Sequence, residues 1–243
     1  MYGICLFLGI FSATLVGERL CKKRNLDTQI YWRAVFYALL LGLLGARLYH
    51  VIHRFDYFIQ HPQEIIAIWQ GGLGIWGGVF GGLFGLIVST RKTGKLTAYV
   101  DIFAVVAPLA QAIGRWGNYF NKELFGYPTN LPWGIYIPLE LRPSEFKYYD
   151  HFHPLFLYES LFDFVLFVLL YKLFTKKKMS GIWQSSGTAT LLYLGGYSFM
   201  RFFLELFRFN AWSIFGLPVA SIISALVLLI CALAIYRRRT AAN

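Results

Sequence analysis

Long apolar runs recur from one end of this sequence to the other, and they constrain the fold more than any other feature. Of the 243 residues, 57% are hydrophobic and only 14% are charged, whereas a typical soluble domain is about a quarter charged. A run of about 20 apolar residues can cross a bilayer as a helix. The runs are continuous rather than alternating, which excludes a membrane β-barrel. We therefore predict an all-α, polytopic membrane protein with a single integral-membrane domain over residues 1–243.

The pattern predicts seven membrane-spanning helices, at about 2–16, 32–52, 73–89, 96–114, 154–171, 186–203 and 214–236. The first run is short, so we expect its helix to extend into the region of Glu18. Charge rather than a small-residue cleavage site follows it, which argues against a cleavable signal peptide. Pro108 is expected to kink the fourth helix. The proline-rich segment 115–153 is expected to lie outside the membrane as turns and extended structure rather than helix.

Basic clusters predict the orientation. The clusters at 19–24, 91–95, 172–178 and 237–239 fall on one side if there are seven spans. Lysine and arginine accumulate on the cytoplasmic side, so the N-terminus is predicted outside and the C-terminus in the cytoplasm. The net charge of +11 is therefore attributed to topology. Nucleic acid is not an expected partner, because the basic residues are scattered between apolar spans.

Cysteines are few, and their spacing excludes two kinds of site. Cys5, Cys21 and Cys231 form neither a paired disulfide framework nor a metal-ligand pattern. They lie in or beside apolar runs, where a free cysteine behaves as a small hydrophobic residue. No metal site is therefore predicted.

A polar stretch at residues 114–126, directly after the fourth apolar run, reads G-R-W-G-N-Y-F-N-K-E-L-F-G. Lipid cannot hydrogen-bond such groups, so they must face protein, water or a ligand. A guanidinium beside amide side chains suits a phosphate or a carboxylate. The stretch indicates an anionic headgroup site at a membrane edge. The simpler alternatives are that Arg115 snorkels to lipid phosphates and that Asn118 and Asn121 cap the backbone.

More polar residues fall on the predicted outer side, in segments far apart in the sequence. Besides Arg115, they are Arg47, Arg54, Arg201, Arg208, His50, His53, His61, His151, His153, Gly71, Gly72, Gly77 and Gly78. An arginine at membrane depth costs about 2.5–3.5 kcal/mol on insertion scales. A chain with several is expected to have an anionic partner for them. Arg115 and Arg201 are candidates to clamp a single phosphate between two helices.

Several of these residues also have structural interpretations. Arg201 and Glu205 are four residues apart and suit an intrahelical ion pair, with Arg208 on the same face as Arg201. Tyr197, also on that face, suits helix packing. The glycine-rich segment 71–78 favours close approach of helices.

Three other features carry two interpretations each. Trp76 is either part of a site or an interfacial anchor. His153-Pro154 with Tyr158-Glu159 looks like a helix start, in which the polar groups are structural. Asp101, placed in the middle of the fourth span, is either a site residue or the partner of a neighbouring helix.

The stretch 114–126 closely resembles the signature G-R-x-G-N-x-x-N-x-E-x-x-G of the prolipoprotein diacylglyceryl transferase family. The resemblance covers nearly the whole chain in order. It includes Tyr2-Gly3, Gly45-Ala46-Arg47, the segment 71–78, the spacing of Asp101 and Pro108 to Arg115, His153-Pro154 with Leu157-Tyr158-Glu159, and Gly196-Tyr197 with Arg201, Glu205 and Arg208.

The resemblance implies a multi-pass enzyme of the bacterial cytoplasmic membrane, with its active site toward the outer leaflet. Such an enzyme transfers the diacylglyceryl group of phosphatidylglycerol to the thiol of the lipobox cysteine in a prolipoprotein. Glycerol phosphate is released in this first step of lipoprotein maturation. The implied partners are phosphatidylglycerol, prolipoprotein signal peptides and membrane lipids. The lipid is a substrate, and no cofactor is implied.

The resemblance also implies roles for individual residues. The catalytic residues would be Arg115, Arg201, Glu123 and Glu205. The headgroup would be bound by Arg115, Asn118, Asn121, Gly126, Tyr2, Tyr197, Arg208, Gly77 and Gly78. Many family members carry a histidine, proposed as the catalytic base, where this chain has Trp76. Tryptophan cannot accept a thiol proton, so that role is not carried over.

The sequence leaves two questions open. The thiol is activated either by the positive charge of the arginines alone, which lowers its pKa, or by a base, which would be Glu123, Glu205 or an outer histidine. A protein that binds or transports anionic phospholipid without catalysis would use the same headgroup site. So would a paralogue made inactive by Trp76. Release of glycerol phosphate distinguishes the enzyme from both alternatives.

Overall fold

The computed structural model describes residues 1–176 and 185–242 and is mainly helical there, with only short strands, which confirms the predicted all-α class. The described helices are α1 Tyr2–Lys23, α2 Thr28–His53, α3 Phe55–Gln60, α4 Ile75–Thr90, α5 Leu96–Gly114, α6 Trp116–Asn121, α7 Leu155–Thr175, α8 Thr188–Leu204 and α9 Val219–Ala242. Two short strand pairs are antiparallel: β1 (Ile135–Tyr136) with β2 (His151–Phe152), and β3 (Ser213–Ile214) with β4 (Leu217–Pro218). Lys177 and Lys178 of the third basic cluster lie outside the described residues.

Among the described residues, four helical stretches are long and apolar enough to cross a membrane, which makes this a membrane protein. They are Tyr2–Lys23, Thr28–His53, Leu96–Asn121 and Val219–Thr240. Each of the seven predicted spans coincides with a helix of 16 residues or more. The helices α4 and α8 are short, with 16 and 17 residues, and α7 carries Glu159, Asp163 and Lys172 within its length.

Helix α1 continues through Glu18 to Lys23, as its short apolar run predicted. Helix α2 begins after Asp27, whose side chain accepts hydrogen bonds from the N–H groups of Gln29 at 2.7 Å and Ile30 at 3.4 Å. This is the usual way in which an N-cap satisfies unpaired donors of the first turn.

The chain divides into two compact units, Met1–Gly17 with Asp101–Asn243, and Glu18–Val100. In the second unit, α2 packs closely on α4 through glycines. A β-carbon placed on Gly77 would collide with the carbonyl oxygen of Gly45, and one placed on Gly81 would collide with that of Leu41. The helix-packing interpretation of the glycine-rich segment therefore holds for Gly77. Gly78 has more room, since its nearest neighbour would be 3.6 Å away.

In the first unit, α7 packs against α5 and α8. The Ser160 hydroxyl donates to the carbonyl of Ala112 at 2.8 Å. Leu166 lies against Gly196, where an added β-carbon would be only 2.7 Å from its Cδ1. The buried residues of α7 recur at helical spacing and include Glu159, Ser160 and Asp163 as well as apolar side chains. The polar groups of α7 are thus part of the packed interior.

Asp101 lies in the second turn of α5, nearer the start of the helix than the sequence suggested. Its carboxylate accepts hydrogen bonds from the N–H of Gly187 at 2.6 Å and from the N–H and hydroxyl of Thr190 at 2.9 Å and 2.6 Å. Of its two interpretations, pairing with a neighbouring helix is the one observed, because these groups form the start of α8. The first N–H groups of a helix have no partner within it, and Asp101 supplies one from another helix.

The segment 115–153 departs from prediction at its start, which is helical. The N–H of Arg115 donates to the carbonyl of Gln111 at 2.9 Å, so the helical path continues past Gly114 into α6. Proline does not interrupt it, because Pro128 is the first proline in the segment. Beyond α6 the segment consists mainly of turns and short strands, as expected. It has its own buried side chains, Ile137 and Phe152.

Candidate active site

A network of three arginines and two glutamates links the ends of α5, α7 and α8. Its ion-pair distances are 2.5 Å for Arg115 Nε to Glu159 Oε2, 3.3 Å for Arg201 Nη1 to Glu159 Oε1, 3.0 Å for Arg201 Nη2 to Glu205 Oε2 and 3.6 Å for Arg208 Nη1 to Glu205 Oε2. Both glutamate side chains are at most 3% exposed, whereas the arginine side chains are 20–25% exposed. Buried carboxylates therefore fix guanidinium groups that still reach the surface.

Glu159 is the centre of this network. It lies in the second turn of α7, which begins after Pro154, and its two oxygens face arginines from two other helices. Its position follows from the buried face of α7 and from the hydrogen bond of Ser160 to α5. In the sequence, Glu159 is visible only as part of a helix start, and no local pattern indicates this role. The predicted ion pair between Arg201 and Glu205 is present.

The two asparagines of the 114–126 stretch both bind Glu123. The side-chain amides of Asn118 and Asn121 donate to Glu123 Oε1 at 2.8 Å and 3.3 Å. Lys122 and Leu124, on either side of Glu123, have positive φ angles of 52° and 58°, so the chain turns sharply at this point. The amides thus orient a carboxylate, and backbone capping is not their observed role.

Two glycines of the same stretch are required by close contacts. A β-carbon on Gly117 would lie 2.6 Å from the ring of Tyr2, which places Tyr2 directly against the stretch. A β-carbon on Gly126 would collide with the carbonyl oxygen of Phe207, at the end of the 3₁₀ turn that follows α8. The N–H of Gly126 donates to the carbonyl of His153 at 2.9 Å.

A cavity of about 320 Å³ lies beside the network. It is lined by Asn121, Lys122, Glu123, Leu124, Phe125, Leu141, Arg208, Phe209 and Asn210. Arginine and lysine provide donors for an anion, and the amide and carboxylate groups provide partners for hydroxyls. Arg208 joins the cavity to the ionic network. The site is therefore suited to an anion that carries hydroxyl groups.

A second polar layer lies deeper along the same three helices and consists of Gln111, Asp163, Tyr193 and Tyr197. The Tyr193 hydroxyl donates to Gln111 Oε1 at 3.2 Å, and the rings of Tyr193 and Tyr197 are 6.2 Å apart. Tyr197 also packs against the apolar cluster of Leu155, Met200 and Leu204, so its packing role is confirmed. No sequence motif indicates Gln111, Asp163 or Tyr193. Their only sequence signal was the four-residue spacing to Arg115, Glu159 and Tyr197.

His153 lies just before α7, and Tyr158 lies in the first turn of that helix. His153 Nδ1 is 3.0 Å from the Tyr158 hydroxyl, which also accepts a hydrogen bond from Trp133 Nε1 at 2.9 Å. Burial lowers the pKa of His153 below its ordinary value. A neutral imidazole is thus favoured there. In the same segment, the hydrogen bond from His151 lowers the pKa of the exposed Asp150.

The second unit has a separate polar cluster around Arg47. This buried guanidinium donates to four backbone carbonyls, those of Glu64, Ile65, Gly71 and Gly72. Its role in this unit is to fix the chain before α4. Trp76, in the first turn of α4, is 56% exposed, and its ring stacks on Phe80 at 6.4 Å.

Comparison with known proteins identifies the class to which this fold and site belong. Residues 1–237 match the family model described as prolipoprotein diacylglyceryl transferase. The chain is similar to proteins named phosphatidylglycerol–prolipoprotein diacylglyceryl transferase. The protein of Fervidobacterium nodosum is 40% identical over 94% of this chain and 77% of its own length. Those of Trichormus variabilis and Thermotoga maritima are 37% and 35% identical, over 92% and 94% of this chain and 79% and 77% of theirs.

The chain is thus a membrane protein in which buried carboxylates form ion pairs with partly exposed arginines and fix their positions. It belongs to the prolipoprotein diacylglyceryl transferase family.

Proposed function

We propose that this chain transfers the diacylglyceryl group of phosphatidylglycerol to the thiol of a lipobox cysteine in a prolipoprotein. Family membership supports the reaction. The observation that supports the site is the network in which Glu159 and Glu205 fix three partly exposed arginines. A phosphodiester is the natural partner of such guanidinium groups. The site assigned to it consists of Arg115, Arg201 and Arg208 with the cavity beside Glu123.

The reaction is a displacement at a glyceryl carbon. The cysteine sulfur forms a C–S bond to that carbon as the C–O bond to phosphate breaks, and the electron pair of the broken bond stays on the phosphate oxygen. Glycerol phosphate leaves with more negative charge than the diester had. Donors fixed where this charge develops stabilise the transition state. Arg115 and Arg201 are assigned this role because buried carboxylates fix their positions before substrate binds.

The thiol proton must go to a base, and the surroundings of the two candidate glutamates differ. Glu205 is buried and paired with Arg201 and Arg208, so a proton would displace two ion pairs. Glu123 is exposed, and its Oε1 accepts only neutral amide hydrogen bonds. We assign proton acceptance to Glu123 and the positioning of Arg201 and Arg208 to Glu205. After transfer, the proton passes to water or to the departing phosphate.

The headgroup site is assigned to residues that surround this network. Asn118 and Asn121 orient Glu123, and Gly126 fixes the loop. Tyr2 of α1 lies against Gly117, and Tyr197 of α8 packs one helical turn before Arg201. The headgroup role of Gly77 and Gly78, in the second unit, stays a prediction, and the contact of Gly77 with Gly45 gives Gly77 a packing role.

The proposed topology has seven spans, α1, α2, α4, α5, α7, α8 and α9, with an external N-terminus and a cytoplasmic C-terminus. Basic residues occur at the ends of the odd-numbered spans, at Lys22 and Lys23, Arg91 and Lys92, Lys172, and Arg239. This is the distribution that the positive-inside rule requires. The ends of α5 and α8 that carry the arginine network then lie at the outer leaflet of the bacterial cytoplasmic membrane.

The test is release of glycerol phosphate from phosphatidylglycerol by purified protein and a lipobox peptide. Wild-type protein is expected to release it, and Arg115→Lys is expected to lose about a hundredfold or more in kcat/KM, because a lysine cannot make the same directed contacts. Arg237→Lys, at an exposed position in the last turns of α9, is the matched control. A peptide with serine in place of cysteine should give no product. Phosphatidylglycerol binding without release, in folded protein, would instead indicate a lipid-binding protein.

A further inference from the structure

Asp163 is a carboxyl group in the interior of the first unit that the reaction above does not use. It lies one helical turn after Glu159 on the buried face of α7 and is 0% exposed. Neither of its side-chain oxygens has a hydrogen-bond partner in the described part of the chain. Asp101, another buried aspartate of this unit, receives three hydrogen bonds. Burial alone therefore does not account for the unpartnered state of Asp163.

The groups that face Asp163 come from all three helices of the site. The charged groups are Arg115, after α5, and Glu159 on its own helix. Tyr193 and Tyr197 of α8 are near enough to interact with it electrostatically. The guanidinium of Arg115 is already paired with Glu159. Asp163 is thus left beside a like charge and without a dedicated cation.

A carboxyl group in these surroundings is most stable with a proton. A buried, ionised carboxylate that accepts no hydrogen bonds is strongly disfavoured, and the group neutralises instead. A second carboxylate one turn away disfavours ionisation further. Asp163 is held in place, because Ser160 binds α5 and Leu166 packs on Gly196 of α8. Its surroundings are therefore a property of the folded core.

The charge of the network shows what this proton does. Three arginines and two glutamates are linked by ion pairs, so the network has one net positive charge. In the adjoining cavity, Lys122 and Glu123 cancel. An ionised Asp163 would bring the sum to zero. The phosphodiester of phosphatidylglycerol carries one negative charge, which matches the network only while Asp163 is neutral.

We propose that Asp163 is a positioning residue that stays a neutral carboxylic acid, so that the arginine network keeps one uncompensated positive charge for a phosphodiester headgroup. The inference rests on the proposed function, whose headgroup site it extends. Asp163 acts through Arg115 and Glu159, since its own side chain is fully buried and cannot touch a substrate. Rising pH removes the proton from Asp163 and weakens binding of the anionic lipid.

The experiment measures the dissociation constant of short-chain phosphatidylglycerol for the full chain in phosphatidylcholine nanodiscs, from about pH 6 to about pH 9. The wild-type constant is expected to rise on the order of tenfold across this range, the effect of one charge a helical turn from the network. Asp163→Asn, which cannot ionise, is expected to remove the rise, and Asp163→Glu to keep it. Asp101→Asn, the same change at the aspartate that binds the start of α8, should leave the rise of the dissociation constant with pH unchanged.

Two results would overturn the proposal. One is an Asp163→Asn protein with the same pH dependence as wild type, and the other is a folded Asp163→Asn protein that binds at no pH, which would mean that the charged form is required. If this variant does not fold, infrared spectra of the wild type decide instead. The carbonyl band of a protonated carboxyl group should be present at neutral pH, should move in Asp163→Glu, and its absence would refute a neutral Asp163.

Binding and transfer are measured separately, so the two proposals can fail separately. The binding assay contains no peptide and needs no chemistry. A wild type that binds phosphatidylglycerol with the expected pH dependence but releases no glycerol phosphate would retain the role of Asp163 and refute the transferase. Normal release of glycerol phosphate together with pH-independent binding of phosphatidylglycerol would retain the transferase and refute the role of Asp163.

Discussion

Glu159 is almost completely buried, yet its two oxygens lie against guanidinium groups from two other segments of the chain. We expect Glu159→Gln to lower kcat/KM for glycerol phosphate release by about a hundredfold. The amide can accept from only one arginine, and the other loses the partner that fixes it. Glu145→Gln is the matched control, because Glu145 is an exposed glutamate of the same unit. Equal activity of the two variants would show that Glu159 does not position the arginines.

His153 is expected to make the segment 115–153 sensitive to acid. Because burial lowers its folded-state pKa, the unfolded chain takes up a proton more readily than the folded chain. The free energy of unfolding is then complete above the unfolded pKa of about 6.5 and falls as pH drops through that value toward the folded pKa. Thermal unfolding in detergent should show a lower Tm at about pH 5.5 than at about pH 7.5, by about 2–4 °C for each kcal/mol lost.

The comparison that isolates His153 uses a neighbouring residue of the same type. In His153→Gln the part of this pH dependence that comes from His153 should disappear, whereas His151→Gln, at an exposed histidine two residues earlier, should retain it. If His151→Gln flattened the profile and His153→Gln did not, the assignment to His153 would be wrong.

At the level of residues, the sequence predicted the cations of the site better than their anions. Arg115 stands in a distinctive motif, and Arg201 pairs with Glu205 at the helical spacing that the sequence shows. The partner that joins them, Glu159, is 44 residues from Arg115 and 42 from Arg201. No local pattern reveals which helices will adjoin, so this contact became visible only in three dimensions.

Among the helices, α2 and α4 approach each other through glycine, and this gives a paired test. Gly77→Ala is expected to destabilise the protein by about 1–3 kcal/mol, since its methyl group meets the backbone of Gly45 and the helices must separate. In Gly78→Ala, one residue later, the added methyl group would lie 3.6 Å from the nearest atom, the β-carbon of Ala46. This substitution should leave the free energy of unfolding unchanged or raise it slightly. Urea unfolding or thermal unfolding of the two variants measures the difference. Equal losses would show that Gly77 is not a contact point.

At the level of elements, hydropathy predicted helices at all seven places, because a continuous apolar run in a membrane has no other way to satisfy its backbone. The predicted helix ends were less accurate. The third span was predicted to begin at about residue 73, whereas α4 begins at Ile75, after the backbone turn at Gly71 and Gly72. Helix α6 was missed because its polar sequence shows no apolar stripe. The strand pairs are two residues long, too short for an alternating pattern to predict them.

For the molecule as a whole, the interior and the site are built from the same residues. The buried face of α7 includes both apolar side chains and the carboxyl groups of Glu159 and Asp163. An uncompensated charge at such a depth would be costly, and here arginines and protonation reduce that cost. The family's reaction requires an anion to bind beside lipid. A core with a small positive excess supplies that binding without an exposed basic patch.

The proposed topology gives the last prediction, which concerns the whole chain. Tyr148 is 99% exposed in the outer segment, and Arg239 lies in the last turn of α9. In a cysteine-free background, a membrane-impermeant maleimide should label Tyr148→Cys in intact spheroplasts and should label Arg239→Cys only after the membrane is opened. In the proposed topology four spans lie between the start of the chain and Tyr148, so a maleimide-accessible cysteine placed before α1 should behave like the one at Tyr148. Labelling of both cysteines from the same side would require an even number of spans between Tyr148 and Arg239, and labelling of Tyr148→Cys only after the membrane is opened would place the arginine network at the inner leaflet and refute this topology.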